Sequence, residues 1–174
     1  MTQPRYRPTP PGGTIPVVVP GDLVLVRKPG LAVWAGAVTV FPEGFQFTLL
    51  TLFDTSRARL PGDSALDPHE RDSMTWLEMW YADGRYRVAD LDEIMPPGQP
   101  QGPHMVLQYS MGAWSEGWLR DIWWVTPLPP PGLVELAIHI GGEKSPTGTG
   151  HLDGALLADA ASSAEVLWPT GKRE

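Results

Sequence analysis

The residues best suited to chemistry are a glutamate and two tryptophans within Met74–Tyr81. Trp76, Glu78 and Trp80 alternate along this segment, so a β-strand would place all three on one face. A carboxylate between two indoles loses contact with water when that face is covered, and this tunes it for general acid or base catalysis. The same rings and carboxylate would also bind a cation or a flat ligand by stacking.

Glu78 has a purely structural interpretation as well. On an exposed or helix-covered face, its carboxylate would form an ion pair with a nearby arginine, and the candidates are Arg85, Arg87 and Arg120. Glu78 is therefore a weak catalytic candidate, and both interpretations stay open at the level of the sequence.

The histidines do not have the spacing of a metal site. Neither H-x-H nor H-E-x-x-H occurs, and a metal centre needs about three converging ligands. The densest group of ligand-type residues is His69, Glu70 and Asp72, in a long polar segment where a solvated loop explains them. We therefore expect no metal site and no cofactor.

Two further candidates lie towards the C-terminus. Glu135 and His139 would share one face of a strand at Leu133–Ile140, where they would line either a cleft or a solvent-facing edge. Asp153, two residues after His151, is better explained as a helix N-cap than as a ligand.

A short glycine-rich segment precedes the C-terminal helical pattern. Gly148-Thr149-Gly150 would offer free backbone N–H groups to an anion if it formed a loop at the start of that helix. No Walker loop, G-x-G-x-x-G or G-x-S-x-G motif occurs.

The most aromatic stretch of the chain is Ala113–Gly132. Leu119–Val125 reads as a strand with two apolar faces, which is typical of a strand covered on both sides. Trp123 and Trp124 would then be buried structural residues on the two faces of this strand. Trp118 and Trp124 are also candidates to line a cleft near Glu78. The prolines of Pro127–Gly132 end the strand, because proline cannot donate to a sheet ladder.

Short apolar runs separated by turn residues indicate the fold class. With 19 Gly and 20 Pro in 174 residues, the pattern predicts an all-β protein, mainly an antiparallel β-sandwich or jelly-roll-like fold of about nine strands. Apolar residues at helical spacing predict one C-terminal helix over about 153–167. We expect a Pro-rich arm at 1–13, a single domain at 14–169 and a polar tail at 170–174.

Charge and composition narrow the possible partners. The net charge is −7, from 13 basic and 20 acidic residues, and there is no cysteine. We therefore expect no nucleic-acid partner, no membrane partner and no disulfide or thiol chemistry. Residues 1–13 contain no apolar signal-peptide core, so we expect a soluble cytoplasmic protein.

The chain resembles a group of actinobacterial all-β proteins that have no assigned function. The shared pattern includes FPEGFQFTL, YADGR, WWVTPLPPPG and LDGALLADAASSAEVLWP, and it spans about residues 14 to 169. The resemblance implies a fold and a lineage, and it carries no chemistry to particular residues.

Two classes of function fit these observations. The first is a non-catalytic binding or assembly module, with a protein partner or with self-association through residues 1–13, where Arg5, Tyr6 and Arg7 stand out. The second is a small-molecule-binding protein or cofactor-free enzyme, with a cleft lined by Trp76, Glu78 and Trp80 and by Trp118 or Trp124. A closed pocket around the tryptophans would favour the second class.

Overall fold

The described residues form a six-stranded and a four-stranded antiparallel β-sheet, a two-stranded ribbon and one helix. A computed structural model describes residues 10–21, 23–54, 75–90, 106–115, 117–140 and 145–168. In chain order the elements are β1 (Thr14–Ile15), β2 (Val17–Val19), β3 (Leu23–Lys28), β4 (Leu31–Phe41), β5 (Gly44–Phe53), β6 (Thr75–Tyr81), β7 (Tyr86–Asp90), β8 (Val106–Ser115), β9 (Trp118–Thr126), β10 (Leu133–Ile140), β11 (Gly148–Asp153), α1 (Gly154–Ser162) and β12 (Glu165–Val166). The predicted all-β fold with one C-terminal helix is confirmed.

The strands form a six-stranded sheet and a four-stranded sheet. The larger has the order β2–β4–β5–β9–β8, with β3 also paired to β4, and the smaller has the order β11–β10–β6–β7. At the sheet edges, β11 lies beside β3 and β7 lies beside β8. Strands β1 and β12 form a separate two-stranded ribbon. Every strand pair is antiparallel, as hairpin-rich sequences predict.

The core lies between the two sheets. Phe45, Phe47 and Leu49 of β5 face Leu77 and Met79 of β6 in one continuous apolar cluster. These side chains alternate along their strands with more exposed residues, which is the period-2 pattern of a sheet with one buried face. Helix α1 adds Leu157, Ala160 and Ala161 to the same cluster.

Strand β9 is buried on both faces near its C-terminal end. Trp123 and Trp124 point to opposite faces, and their exposed fractions are 1% and 0%. Trp124 packs edge-on against Phe41, with ring centroids 5.5 Å apart. Both tryptophans are therefore structural residues, as the apolar faces of this strand predict.

The proline segment after β9 is held at several points. The carbonyl of Pro127 accepts a hydrogen bond from the Tyr81 hydroxyl at 2.8 Å, and burial raises the pKa of Tyr81. Further along, the carbonyl of Gly132 accepts a 2.7 Å bond from the N–H of Gly154, at the start of α1. The segment thus fastens the ends of β6 and α1 together.

The C-terminal region departs from the sequence prediction in two ways. Helix α1 ends at Ser162 rather than near residue 167, because the Ser162 and Ser163 hydroxyls bond the carbonyl of Asp159 and compete with further helical turns. Glu165–Val166 instead pairs with Thr14–Ile15. The carbonyl of Gly13 also accepts bonds from Leu167 and Trp168, so the predicted arm is tied to the domain at its last residue. Residues 1–9 and 170–174 lie outside the described residues.

The number of strands exceeds the predicted nine or so. Pro16 divides the first predicted strand into β1 and β2, and β11 and β12 are additions. Strand β11 escaped prediction because its glycines read as a loop. In the structure a Cβ on Gly148 would clash with the Leu25 carbonyl oxygen, and one on Gly150 would lie 2.7 Å from Leu23. Both glycines therefore allow β11 to approach β3 closely.

We expect Trp124→Ala to destabilise the protein by about 3–5 kcal/mol, the usual loss for removing a fully buried large aromatic side chain. Urea unfolding monitored by circular dichroism measures the free energy. Trp118→Ala is the control, because Trp118 is only half-buried and its loss should be smaller. A loss below about 1 kcal/mol for Trp124→Ala would contradict the assignment of Trp124 to the interior.

We expect Gly148→Ala to lower the free energy of unfolding by about 1–3 kcal/mol, because the new methyl group meets backbone atoms that have no room to shift. Gly12→Ala is the matched control, since nothing lies within 4 Å of its added Cβ. Thermal melts of the two variants make the comparison. Equal melting temperatures would show that β11 does not pack closely against β3.

Candidate functional site

Strand β6 places the predicted chemical residues on the outer face of the four-stranded sheet. Leu77 and Met79 are fully buried in the core, so Trp76, Glu78 and Trp80 point away from it. All three are half-buried. We call the outer surface formed by Trp76, Glu78, Trp80, Tyr86, Glu135 and His139 the aromatic face.

The Glu78 carboxylate is shared between two neighbouring strands. Its Oε2 lies 3.3 Å from Nε2 of His139 on β10, and its Oε1 accepts a hydrogen bond of 3.3 Å from the Tyr86 hydroxyl on β7. The strand register explains both contacts. Glu78 lies opposite Ala137 and Val88, so His139 and Tyr86 are its diagonal neighbours on the same face.

Two stacked ring pairs flank this carboxylate. The Trp76 indole stacks on the His139 imidazole, with centroids 4.6 Å apart and planes 13° apart. The Trp80 indole stacks on the Tyr86 phenol at 4.9 Å and 27°. Each pair consists of directly opposed residues in the sheet register, which is where cross-strand aromatic contacts are closest. The rings are therefore held in fixed positions before any ligand arrives.

The exposed fraction increases from His139 to Glu78 to Tyr86. The His139 side chain is 2% exposed, the Glu78 side chain 19%, and Tyr86 46%. The accessible part of the site is therefore formed by Tyr86, Trp80 and Glu78, while His139 is almost fully covered.

The pKa of Tyr86 is raised, first by partial burial of the phenol and then by the negative charge of Glu78. A nearby anion opposes formation of the phenolate, and the hydrogen bond to Glu78 favours the neutral hydroxyl. Tyr86 therefore stays a hydrogen-bond donor to the carboxylate across the physiological pH range.

The structure brings together only some of the sequence candidates. Trp76, Glu78 and Trp80 do share one face, but Trp118 and Trp124 lie on β9 of the six-stranded sheet. They belong to the outer surface of that other sheet, and Trp124 is fully buried there. These five residues therefore do not line a single cleft. Alternation along a strand shows which side chains share a face, but it does not show which sheet the strand joins.

The partners of Glu78 differ from the arginines considered from the sequence. Among the described residues, Glu78 contacts His139 and Tyr86, whereas Arg85 donates from Nε to Asp83 at 2.7 Å and lies over the Tyr81 ring. The sequence did contain a signal for Tyr86. The Asp83-Gly84 turn joins β6 to β7 and sets the register that places Tyr86 opposite Trp80.

The remaining candidates have structural roles or lie outside the described residues. Asp153 caps α1, accepting from the Ala155 N–H at 2.8 Å, as predicted. The anion-binding loop considered at Gly148-Thr149-Gly150 does not form, because this segment is part of β11. His69, Glu70 and Asp72 fall in a range that the structure does not describe. Within the described ranges, no three ligand-type side chains converge to hold a metal.

A small concavity lies at the start of α1, beside the open side of β2. It encloses about 220 Å³ and is lined mainly by apolar side chains, with His151 and Asp153 as its titratable groups. Asp153 is already engaged as the helix cap. The concavity therefore has fewer directed polar groups than the aromatic face.

No protein-family model, curated protein or solved structure matches this chain. The resemblance to the actinobacterial group stays a prediction, and the candidate site rests on its own geometry. In the part of the chain that the structure describes, no helix combines the length and apolarity needed to cross a bilayer.

We expect Glu78→Gln to lower the pKa of Tyr86, because the substitution removes the negative charge that opposes the phenolate. Titration of the tyrosine ring carbons by NMR follows this group directly. Glu165→Gln, which removes an exposed carboxylate from β12, is the charge-matched control and should leave Tyr86 unchanged. An unchanged or higher pKa of Tyr86 in Glu78→Gln would show that Glu78 does not act on the phenol.

Proposed function

We propose that the protein is a binding module and that the aromatic face is its recognition surface. The observation that carries the proposal is the Trp80–Tyr86 stack, which is accessible to solvent and stands beside the Glu78 carboxylate. Tryptophan and tyrosine supply large contact areas at low conformational cost, and they are enriched at protein interfaces.

The fixed position of these rings supports binding. Each indole is held by a cross-strand ring contact, and the carboxylate is held on both sides by His139 and Tyr86. A surface whose side chains are already ordered gives up little conformational entropy when a partner docks. The residues lie on strands rather than loops, which holds their spacing constant.

A small-molecule-binding protein or cofactor-free enzyme is the second candidate. It is favoured by the His139–Glu78–Tyr86 sequence of groups, since a carboxylate between an imidazole and a phenol can exchange protons with a substrate. His139 is almost fully buried, so a substrate would meet Glu78 and Tyr86 alone. Saturable binding of a metabolite that is lost in Glu78→Gln would favour this candidate over a protein partner.

Site-specific photocrosslinking in the native host tests the binding proposal. A benzophenone amino acid in place of Val88 lies on the aromatic face opposite Glu78, and Val88 is 38% exposed. Leu52 on the six-stranded sheet, at 40% exposure, is the matched control position. We expect one discrete protein adduct from the Val88 position only.

The adduct should disappear when the Trp80→Leu substitution is added. Circular dichroism checks that this variant is still folded. The partner is then identified by mass spectrometry, which also detects a second copy of this chain, the case expected for self-association through residues 1–13. The same adducts from both positions, or none from Val88, would contradict the assignment of the aromatic face as a recognition surface.

A further inference from the structure

Trp80 is flanked by two carboxylates. Glu135 on β10 lies directly opposite Trp80 in the register, and Glu78 precedes it by two residues on the same strand face. Directly opposed residues in a sheet have Cβ atoms about 5 Å apart, and alternate residues along a strand are roughly 7 Å apart. Both carboxylates are therefore within reach of a group seated on the indole.

The aromatic face carries no lysine or arginine among the strand residues that the structure describes. Arg85 is held by Asp83 in the turn. Arg87 alternates with Tyr86 and Val88 and so points to the other side of β7, with the buried Ala89. Among the described strand residues, the imidazoles on this side of the sheet are those of His139, 3.3 Å from Glu78, and His151, opposite Glu135. The surface around Trp80 is thus aromatic and acidic.

This combination of groups recognises a cation that is also flat. A ring face attracts a cation through its quadrupole, and a nearby carboxylate adds a charge-assisted hydrogen bond. A guanidinium group satisfies both at once, because it stacks on an indole and points its N–H donors sideways to carboxylates. An ammonium group is compact and strongly hydrated, so it gains less from stacking.

We infer that the aromatic face binds an arginine side chain of a partner protein, an inference that rests on the proposed binding function. The guanidinium stacks on the Trp80–Tyr86 pair between Glu78 and Glu135. The net charge of −7 supports a basic partner segment, because it attracts cationic chains and repels nucleic acids.

Calorimetric titration of the full chain with short peptides tests this inference. The probe is acetyl-Gly-Arg-Gly-Arg-Gly-amide, and the matched controls replace both arginines by lysine or by citrulline. Citrulline keeps the planar shape of arginine but lacks its charge. We expect the arginine peptide to bind, the lysine peptide to bind more weakly, and the citrulline peptide to lose affinity by about tenfold or more.

Substitutions then locate the site. Glu135→Gln and Trp80→Leu should each weaken the arginine peptide by about fivefold to tenfold, the range for losing one cation–π or carboxylate contact. Glu135→Gln preserves shape, so the inference remains testable if Trp80→Leu fails to fold. Glu165→Gln on β12 should leave the affinity unchanged.

Three outcomes would overturn the inference. Equal affinity for the arginine and citrulline peptides would remove the charge requirement. Arginine binding that is unaffected by both substitutions would place the site elsewhere. Tighter peptide binding after deletion of residues 1–9, together with a change from oligomer to monomer by light scattering, would make the chain's own Arg5 and Arg7 the occupant.

Failure of this inference is distinguishable from failure of the proposed function. If the Val88 crosslink persists while the peptides show no preference for arginine, the recognition surface stands and only the ligand class is wrong. If the Val88 crosslink is absent, both the proposed recognition surface and the proposed arginine ligand are wrong.

Discussion

The alternation of side chains along β6 is the constraint that joins the core of this protein to its candidate site. Leu77 and Met79 fill the space between the sheets, while Trp76, Glu78 and Trp80 stand on the opposite face. A register shift of one residue would exchange these two sets. It would put a carboxylate into the apolar core at a large desolvation cost, so the same preference that buries the core also presents the site.

The site itself is a product of cross-strand register. Glu78 meets His139 and Tyr86 because β10 and β7 pair with β6 at fixed offsets. The ring stacks form because the directly opposed residues are aromatic or imidazole. Features far from the site help to maintain these offsets. The Tyr81 hydroxyl fastens the end of β6 to the proline segment, and the glycines of β11 let the edge of the four-stranded sheet approach β3.

Sequence reasoning captured what depends on local patterns. Short apolar runs separated by turn residues predicted the all-β fold, and the paired tryptophans predicted a strand buried on both faces. What it missed depends on contacts between distant segments. The contact between His139 and Glu78 requires the pairing of β6 with β10. Strand β11 could not be distinguished from a loop, because its two glycines are there to allow close packing against β3. Trp118 and Trp124 were placed near Glu78 because a face can be inferred from alternation, whereas membership of a sheet cannot.

We propose that the fixed Trp80–Tyr86 ring pair, beside the Glu78 and Glu135 carboxylates, recognises an arginine side chain. Chemical-shift mapping by NMR tests it most directly, with the arginine peptide titrated into uniformly labelled full-length protein. We expect the largest shifts at the Trp80 indole N–H and at backbone amides of β6, β7 and β10. Shifts centred on the concavity beside α1, on the six-stranded sheet, or nowhere at all would contradict it.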